Sequence, residues 1–168
     1  MKNKIELRNK IKLIRKTFDI NAKSTIITEN IRHTSIYKNA QNIMLFYPTK
    51  YEINLLKLLN DEKNFYFPKV YGEDLLVCPN CGEFKKSVFN INEPCSSPVN
   101  PAILDLIIVP ALAVDKENYR LGYGGGYYDK FLAKYPDITT ITPIFKEFIL
   151  DELPKNKFDI KIDYICSD

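Results

Sequence analysis

LDLIIVPALAVDKENYRLGYGGGYYDKFLAKYPDITTITPIF, residues 104–145, decides the fold class of this chain. It opens on a β-branched apolar run, Leu104 to Val109, closed by Pro110, which reads as a buried strand. A glycine-rich loop follows, and Tyr127-Tyr128-Asp129-Lys130-Phe131-Leu132 reads as a helix start. A second β-branched run, Thr139 to Phe145, completes a strand–helix–strand unit of the kind that builds a parallel sheet.

The same alternation extends upstream. Leu7, Ile11, Ile14 and Phe18 recur at steps of four, three and four, the stripe of an amphipathic helix over Ile5 to Phe18. A second helix is expected over Ser24 to His33, with Ser24 as its cap. Asn42 to Tyr47 then reads as a strand, Asn54 to Leu59 as a helix and Asn64 to Val70 as a strand. Tyr71 to Pro101 is less regular, with short β-like pieces at Leu75 to Val77 and Ser87 to Phe89, and is expected as a hairpin and surface loop. The expected fold is therefore a single α/β domain over residues 1–168, three-layer-like, with a mostly parallel central sheet flanked by helices. Ligands of such sheets bind at the carboxyl ends of the strands.

Composition sets the outer limits. At 168 residues, 45% hydrophobic and 27% charged, the chain suits one globular domain rather than a disordered or fibrous protein. A net charge of +3 is too small to call for a nucleic-acid partner. No apolar run is long enough to cross a bilayer and no export signal is evident, so the expectation is a cytoplasmic protein, monomeric, with small-molecule partners and no membrane contact. Cys78, Cys81, Cys95 and Cys166 are expected as reduced thiols.

The densest chemistry lies in Arg120 to Asp129, RLGYGGGYYD. Clustered glycines adopt positive φ cheaply and leave amide N–H groups free to point inward as an anion nest. A phosphate there meets both those amides and the positive end of a helix dipole. The loop has neither the Gly-Lys-Ser/Thr ending of a P-loop nor the dinucleotide glycine spacing. On the first helix Lys4, Arg8, Lys12 and Arg15 run in line, a set that suits a polyphosphate or the solvated side of a surface helix.

Arg120, the four glycines, the paired tyrosines and Asp129 together closely resemble the signature of the 5-formyltetrahydrofolate cyclo-ligases, and the resemblance extends over nearly the whole chain. It implies conversion of 5-formyltetrahydrofolate to 5,10-methenyltetrahydrofolate with ATP consumed to ADP and phosphate in the presence of Mg2+. By that resemblance Lys4 and Arg8 reach ATP from the first helix. Arg120, Leu121, Gly122, Tyr123, Gly124, Gly125, Gly126, Tyr127 and Tyr128 form the nucleotide loop, with Arg8 and Arg120 as phosphate clamps. Asp129 and Asp163 match magnesium-binding acids, Glu52 the acid that binds the pterin-type ring, and Tyr47, Tyr123 and Tyr127 substrate contacts. Phosphorylation of the formyl oxygen creates a leaving group that the folate N10 displaces, so no enzyme nucleophile is needed, in keeping with a lone histidine, His33, far from the motif.

Three features depart from the family pattern. Phe148 stands where the family commonly has Gln, and Phe158 where it often has His or another polar residue. Cys78-Pro79-Asn80-Cys81-Gly82 lies outside the pattern and looks like half a zinc ribbon. Two other functions follow from these departures: a cyclo-ligase-like ATP-binding protein with a different substrate, and a zinc-ribbon nucleic-acid-binding module.

Overall fold

Six strands form the central sheet in the order β11-β9-β6-β1-β2-β3 in the computed structural model, which describes residues 2–168. In chain order the elements are α1 (Lys2–Arg15), α2 (Ile20–His33), α3 (Ser35–Asn39), β1 (Asn42–Met44), β2 (Asn64–Tyr71), β3 (Asp74–Pro79), β4 (Phe84–Lys86), β5 (Asn92–Pro94), β6 (Leu106–Ile108), β7 (Ala113–Asp115), β8 (Arg120–Leu121), α4 (Tyr127–Lys134), β9 (Thr139–Ile144), β10 (Ile149–Leu150) and β11 (Tyr164–Ser167). Every neighbouring pair in the sheet is parallel except β2 with β3. The mostly parallel α/β architecture expected from the alternation is the one observed.

The two faces of the sheet account for the continuous apolar strands. Ile43 and Leu45 on β1 and its extension, with Leu106 and Ile108 on β6, point into a core shared with Ile11 of α1 and Ile27 and Ile31 of α2. The alternate residues Met44 and Ile107 face Phe131 and Leu132 of α4. Strand side chains alternate between faces, so a strand covered on both sides must be apolar throughout.

Local departures have local causes. Helix α2 begins a turn earlier than Ser24, because Asp19 caps it by accepting the Ala22 N–H at 3.0 Å. Ser24 is buried inside the helix and its hydroxyl accepts the Asn54 N–H at 2.9 Å. Residues expected as a helix at Asn54 to Leu59 form a 3-10 turn, Leu56–Asn60. Ser87 to Phe89 is not a strand but the turn between β4 and β5, with the Ser87 hydroxyl accepting the Phe89 N–H. Leu75 to Val77 lies in β3, an edge strand of the main sheet.

An ion cluster closes the α2–α3 corner. Arg32 donates from Nε and Nη2 to Asp61 at 3.0 and 2.8 Å, and the Tyr37 hydroxyl donates to the same carboxylate at 2.7 Å. Although burial alone pushes the Asp61 carboxyl up, the hydrogen bonds from Arg32 and Tyr37 outweigh it and hold the carboxyl below its ordinary value. A depressed folded-state value contributes stability above the unfolded value near ~3.9 and loses it as pH falls. Asp61→Asn is expected to cost about 1–3 kcal/mol at pH 7, and the melting-temperature gap from wild type should narrow as the pH drops below ~4.

Candidate active site

The carboxyl ends of β1 and β6 open onto one side of the sheet, and the glycine loop is delivered there by a detour. Instead of running from the Leu104 strand straight into the loop, the chain leaves β6 through Ala111 and Leu112 and makes an antiparallel hairpin, pairing Val114 with Arg120 and Ala113 with Leu121. Arg120 and Leu121 are thus buried strand residues, and the loop proper is Gly122 to Gly126. The backbone amides at the start of α4 have no side-chain cap, since Gly126 occupies the cap position at φ 71°. Gly124 has φ 116°. A methyl group at Gly122 would lie 2.7 Å from Arg120 Nη1, and one at Gly125 2.7 Å from the Tyr127 ring. A side chain at either position would displace Arg120 or Tyr127.

Inside this loop Arg120 is almost wholly buried. Its Nη2 lies 3.2 Å from Asp129 Oδ1 and its guanidinium stands 5.6 Å from the centre of the Tyr128 ring. Yet among the described residues Arg120 Nε and Nη2 have no hydrogen-bond acceptor, and the buried Tyr128 hydroxyl has no hydrogen-bond partner. Burial works against the charge of Arg120, with Asp129 opposing that effect. A buried guanidinium with unpaired N–H groups is costly unless an anion completes it.

Helix α1 brings two of the expected cations to the loop. Arg8 donates from Nε to the Gly122 carbonyl at 2.8 Å. Lys4 pairs with Asp159 at 2.5 Å. Asp129, in the first turn of α4, accepts the Ile160 N–H at 3.1 Å. Lys4, Arg8, Arg120 and Asp129 are therefore joined to one set of loops. Asp163 is placed elsewhere: it precedes β11, and its Oδ2 accepts both the N–H and the hydroxyl of Thr140 at 2.8 Å. That is the amino-terminal end of the parallel strands, opposite the end where β6 delivers the glycine loop.

Tyr47 and Glu52 line a cleft of 520 Å³ together with Phe18, Lys50, Tyr51 and Asn54. Glu52 is buried, with Oε2 accepting the Thr49 N–H at 2.7 Å. Tyr47 is steadied by Phe84 of β4, ring centres 5.0 Å apart. Tyr127 packs edge-on against Phe89 at 6.1 Å. Tyr123 lies in the loop with its hydroxyl turned toward Arg15, whose Nη1 donates to it at 3.0 Å.

The architecture is shared with proteins of known structure. The 5,10-methenyltetrahydrofolate synthetase of Aquifex aeolicus superposes with a TM-score of 0.84 at 30% identity, over 97% of this chain and 88% of that one. The 5-formyltetrahydrofolate cyclo-ligase family model matches residues 1–168. This chain belongs to the 5-formyltetrahydrofolate cyclo-ligase family. Proteins named 5-formyltetrahydrofolate cyclo-ligase from Mus musculus and Haemophilus influenzae are 26% and 28% identical to it, covering 84% and 81% of this chain and 80% of each of theirs. A Mycoplasma pneumoniae synthetase at 21% identity shares the fold, with a TM-score of 0.78 over 99% of both chains.

Within this chain the departures from the family pattern find physical places. Phe148 is buried, stacked on Phe18 at 5.6 Å and near Phe145 at 6.4 Å, so it extends an aromatic core. Phe158 is 70% exposed, beside the Lys4–Asp159 pair. Cys78 is buried, Cys81 and Cys95 are exposed, and among the described residues no three His, Cys, Asp or Glu side chains gather as a metal site. His33 is exposed at the end of α2. Among the described residues no helix is long and apolar enough to cross a membrane.

One residue beside the glycine loop was not singled out by the pattern. Arg15 is only 2% exposed, although the cationic line on α1 suited a solvated face. Its position four residues after Ile11, on the inward stripe, is the one signal of burial the sequence carries.

Proposed function

We propose that the protein converts 5-formyltetrahydrofolate to 5,10-methenyltetrahydrofolate while ATP becomes ADP and phosphate. The observation that carries this reading is the buried Arg120 guanidinium, whose Nε and Nη2 have no hydrogen-bond acceptor among the described residues, beside a loop of four glycines. A phosphate group supplies the acceptors that those N–H groups lack. Arg120 and Arg8 serve as the phosphate clamps, Lys4 as a further cation, and the amides from Gly122 to Tyr128 as the nest.

Magnesium fits Asp129 alone. Its Oδ1 accepts the Ile160 N–H and lies within ion-pair distance of Arg120, and among the described residues its Oδ2 has no partner, which suits an ion that uses one or two carboxylates plus phosphate oxygens and water. When bound there, magnesium would neutralise charge on the phosphates. Asp163, occupied by Thr140, serves to dock β11 on β9.

Glu52 orients the folate, because a buried carboxylate accepts paired N–H bonds from an aminopyrimidinone ring. Tyr47, Tyr123 and Tyr127 offer flat contacts to the rest of the molecule. The formyl oxygen attacks the terminal phosphorus of ATP and ADP leaves. N10 then attacks the activated carbon, phosphate leaves, and the N10 proton passes to solvent. The protein's share is positioning and charge balance: Arg120 faces the developing phosphoryl charge, and Glu52 holds the ring that presents the formyl group.

The test is absorbance at the methenyl band with 5-formyltetrahydrofolate and MgATP, with omission of ATP and addition of EDTA as controls. A rise that needs both ATP and magnesium is expected, and no rise from protein that binds ATP would transfer the reading to another substrate. In the same assay Glu52→Gln keeps an acceptor for the Thr49 N–H but loses the charge. Loss of a charged hydrogen-bond pair is worth about 1.5–3 kcal/mol, so KM for the folate should rise roughly 10- to 100-fold.

A further inference from the structure

We infer that Asp115 is a positioning residue that, from outside the site, ties the β7–β8 turn to the segment 153–162 and so sets where Arg120 and Asp129 stand. The inference rests on the proposed function, since it takes these two as the phosphate clamp and the magnesium carboxylate.

Asp115 ends β7 and is wholly buried, at 0% exposure. Its Oδ1 accepts the N–H groups of Glu117 and Tyr119, both at 3.0 Å. Backbone bonds close the same turn, from the Asp115 N–H to the Tyr119 carbonyl and from the Asn118 N–H to the Asp115 carbonyl, each 3.0 Å. A turn of this size needs one side-chain oxygen, which asparagine also supplies. The second oxygen has a different address. Oδ2 accepts the Leu153 N–H at 3.1 Å, 38 residues further along the chain. Lys155 stands 3.9 Å from the same oxygen while pairing with Glu117 at 3.0 Å. Burying a charge this deeply is costly, and closing a turn does not call for it.

The tied segment reaches the site. Leu153 to Ile162 runs as turns and irregular chain, and its far end returns to the turn it started from. There the Ile162 N–H donates to the Asn118 carbonyl at 2.9 Å, and Asn118 Nδ2 donates to the Asp163 carbonyl at 3.4 Å. Between the two anchors, Asp159 pairs with Lys4 and the Ile160 N–H donates to Asp129 Oδ1 at 3.1 Å. The Tyr119 N–H that Asp115 holds belongs to the residue just before Arg120. One carboxylate therefore fixes both the strand that presents the guanidinium and the strap that orients the acid beside it. Groups that must hold a transferring phosphate in place gain from such support outside the site.

Two measurements test this: amide hydrogen exchange of the ligand-free protein by nuclear magnetic resonance, and calorimetric titration with a non-hydrolysable ATP analogue at graded magnesium concentrations. Asp115→Asn leaves an oxygen for the turn and sets an NH2 group against the Leu153 N–H. Exchange at the Ile160 amide should quicken roughly 5- to 100-fold, while the amides of β6 and β9 stay protected as in wild type. The magnesium concentration that half-saturates analogue binding should rise at least ~5-fold. In an Asp129→Asn background the same substitution should leave that concentration where Asp129→Asn alone puts it, because the two residues act through one contact. A residue that only stabilises the fold would lower the melting temperature without moving the magnesium requirement. Asn118→Gly keeps the left-handed backbone that a φ of 67° requires and removes the side-chain tie at the far anchor. Should Asp115→Asn not fold, Asn118→Gly carries the test, with both readouts moving together ~2- to 5-fold. Unchanged exchange at Ile160, or faster exchange with an unmoved magnesium requirement, overturns the inference and leaves the proposed function standing. Analogue binding in wild type that is indifferent to magnesium overturns the metal role of Asp129 and the inference with it.

Discussion

Arg120→Met is expected to abolish turnover without unfolding the protein. The guanidinium is buried in β8 against Asp129 and the Tyr128 ring, and two of its nitrogens lack acceptors. In the ligand-free protein it is therefore a cost. Methionine fills comparable space without desolvating a charge, and replacing a buried ion pair by apolar groups is often neutral or stabilising. Against this, Asp129 loses one partner but keeps the Ile160 N–H and partial access to water. The net expectation is a melting temperature equal to or above that of wild type. Turnover is another matter, because donors aimed at charge that develops in the transition state are typically worth about 10²- to 10³-fold each. Activity measured beside thermal melts, with and without MgATP, checks the pair of effects. Wild type should gain stability from the nucleotide and the variant should gain much less. Normal activity in Arg120→Met would remove the phosphate role from the centre of the proposal.

The second large effect is expected at Asp129. Asp129→Asn preserves an oxygen for the Ile160 N–H, so the contact that holds the 156–160 segment to α4 survives. What disappears is the negative charge, and with it the single carboxylate proposed to carry magnesium. Turnover at saturating MgATP should fall by at least about 10²-fold, in line with the loss of one electrostatic contact to the transferring group. Raising the magnesium concentration should recover part of it, which separates a metal ligand from an acid that serves only as a partner of Arg120. Asp163→Asn, by contrast, should shift the melting temperature through the Thr140 contacts and leave the magnesium dependence as in wild type. A reversed outcome, with magnesium dependence altered at Asp163 and not at Asp129, would return the metal to the amino-terminal end of β11.

The layered α/β fold was legible because the buried strands are apolar on both faces and the helices carry one apolar stripe. The glycine loop was legible for a similar reason, since few side-chain-free runs are flanked by Arg and Asp. Other features were hidden by the scale on which they are decided. The β7–β8 hairpin has two- and three-residue strands, too short for any alternation to register. Burial of Arg15 depends on carbonyls 96 and 97 residues away in the chain. On α1 only its place four residues after Ile11 separates it from a cation facing water. Asp163 illustrates the reverse. The family pattern drew it toward the metal, while the placement of its carboxylate follows from the register of β11 with β9. Phe148 looked like a lost polar contact and proves to be ring packing beside Phe18.

Helix α1 also has a bearing on how the protein comes into being. It precedes every strand in chain order, yet Arg8 finds the Gly122 carbonyl across 114 residues of sequence and Lys4 finds Asp159 across 155. The sheet from β1 to β6 can assemble without these contacts, but the glycine loop acquires its outer wall only when α1 meets Gly122 and Asp159. Assembly of the proposed reactive centre is thereby expected late among the events that build this fold. A partly made chain, however well its strands are paired, has no competent pocket to offer.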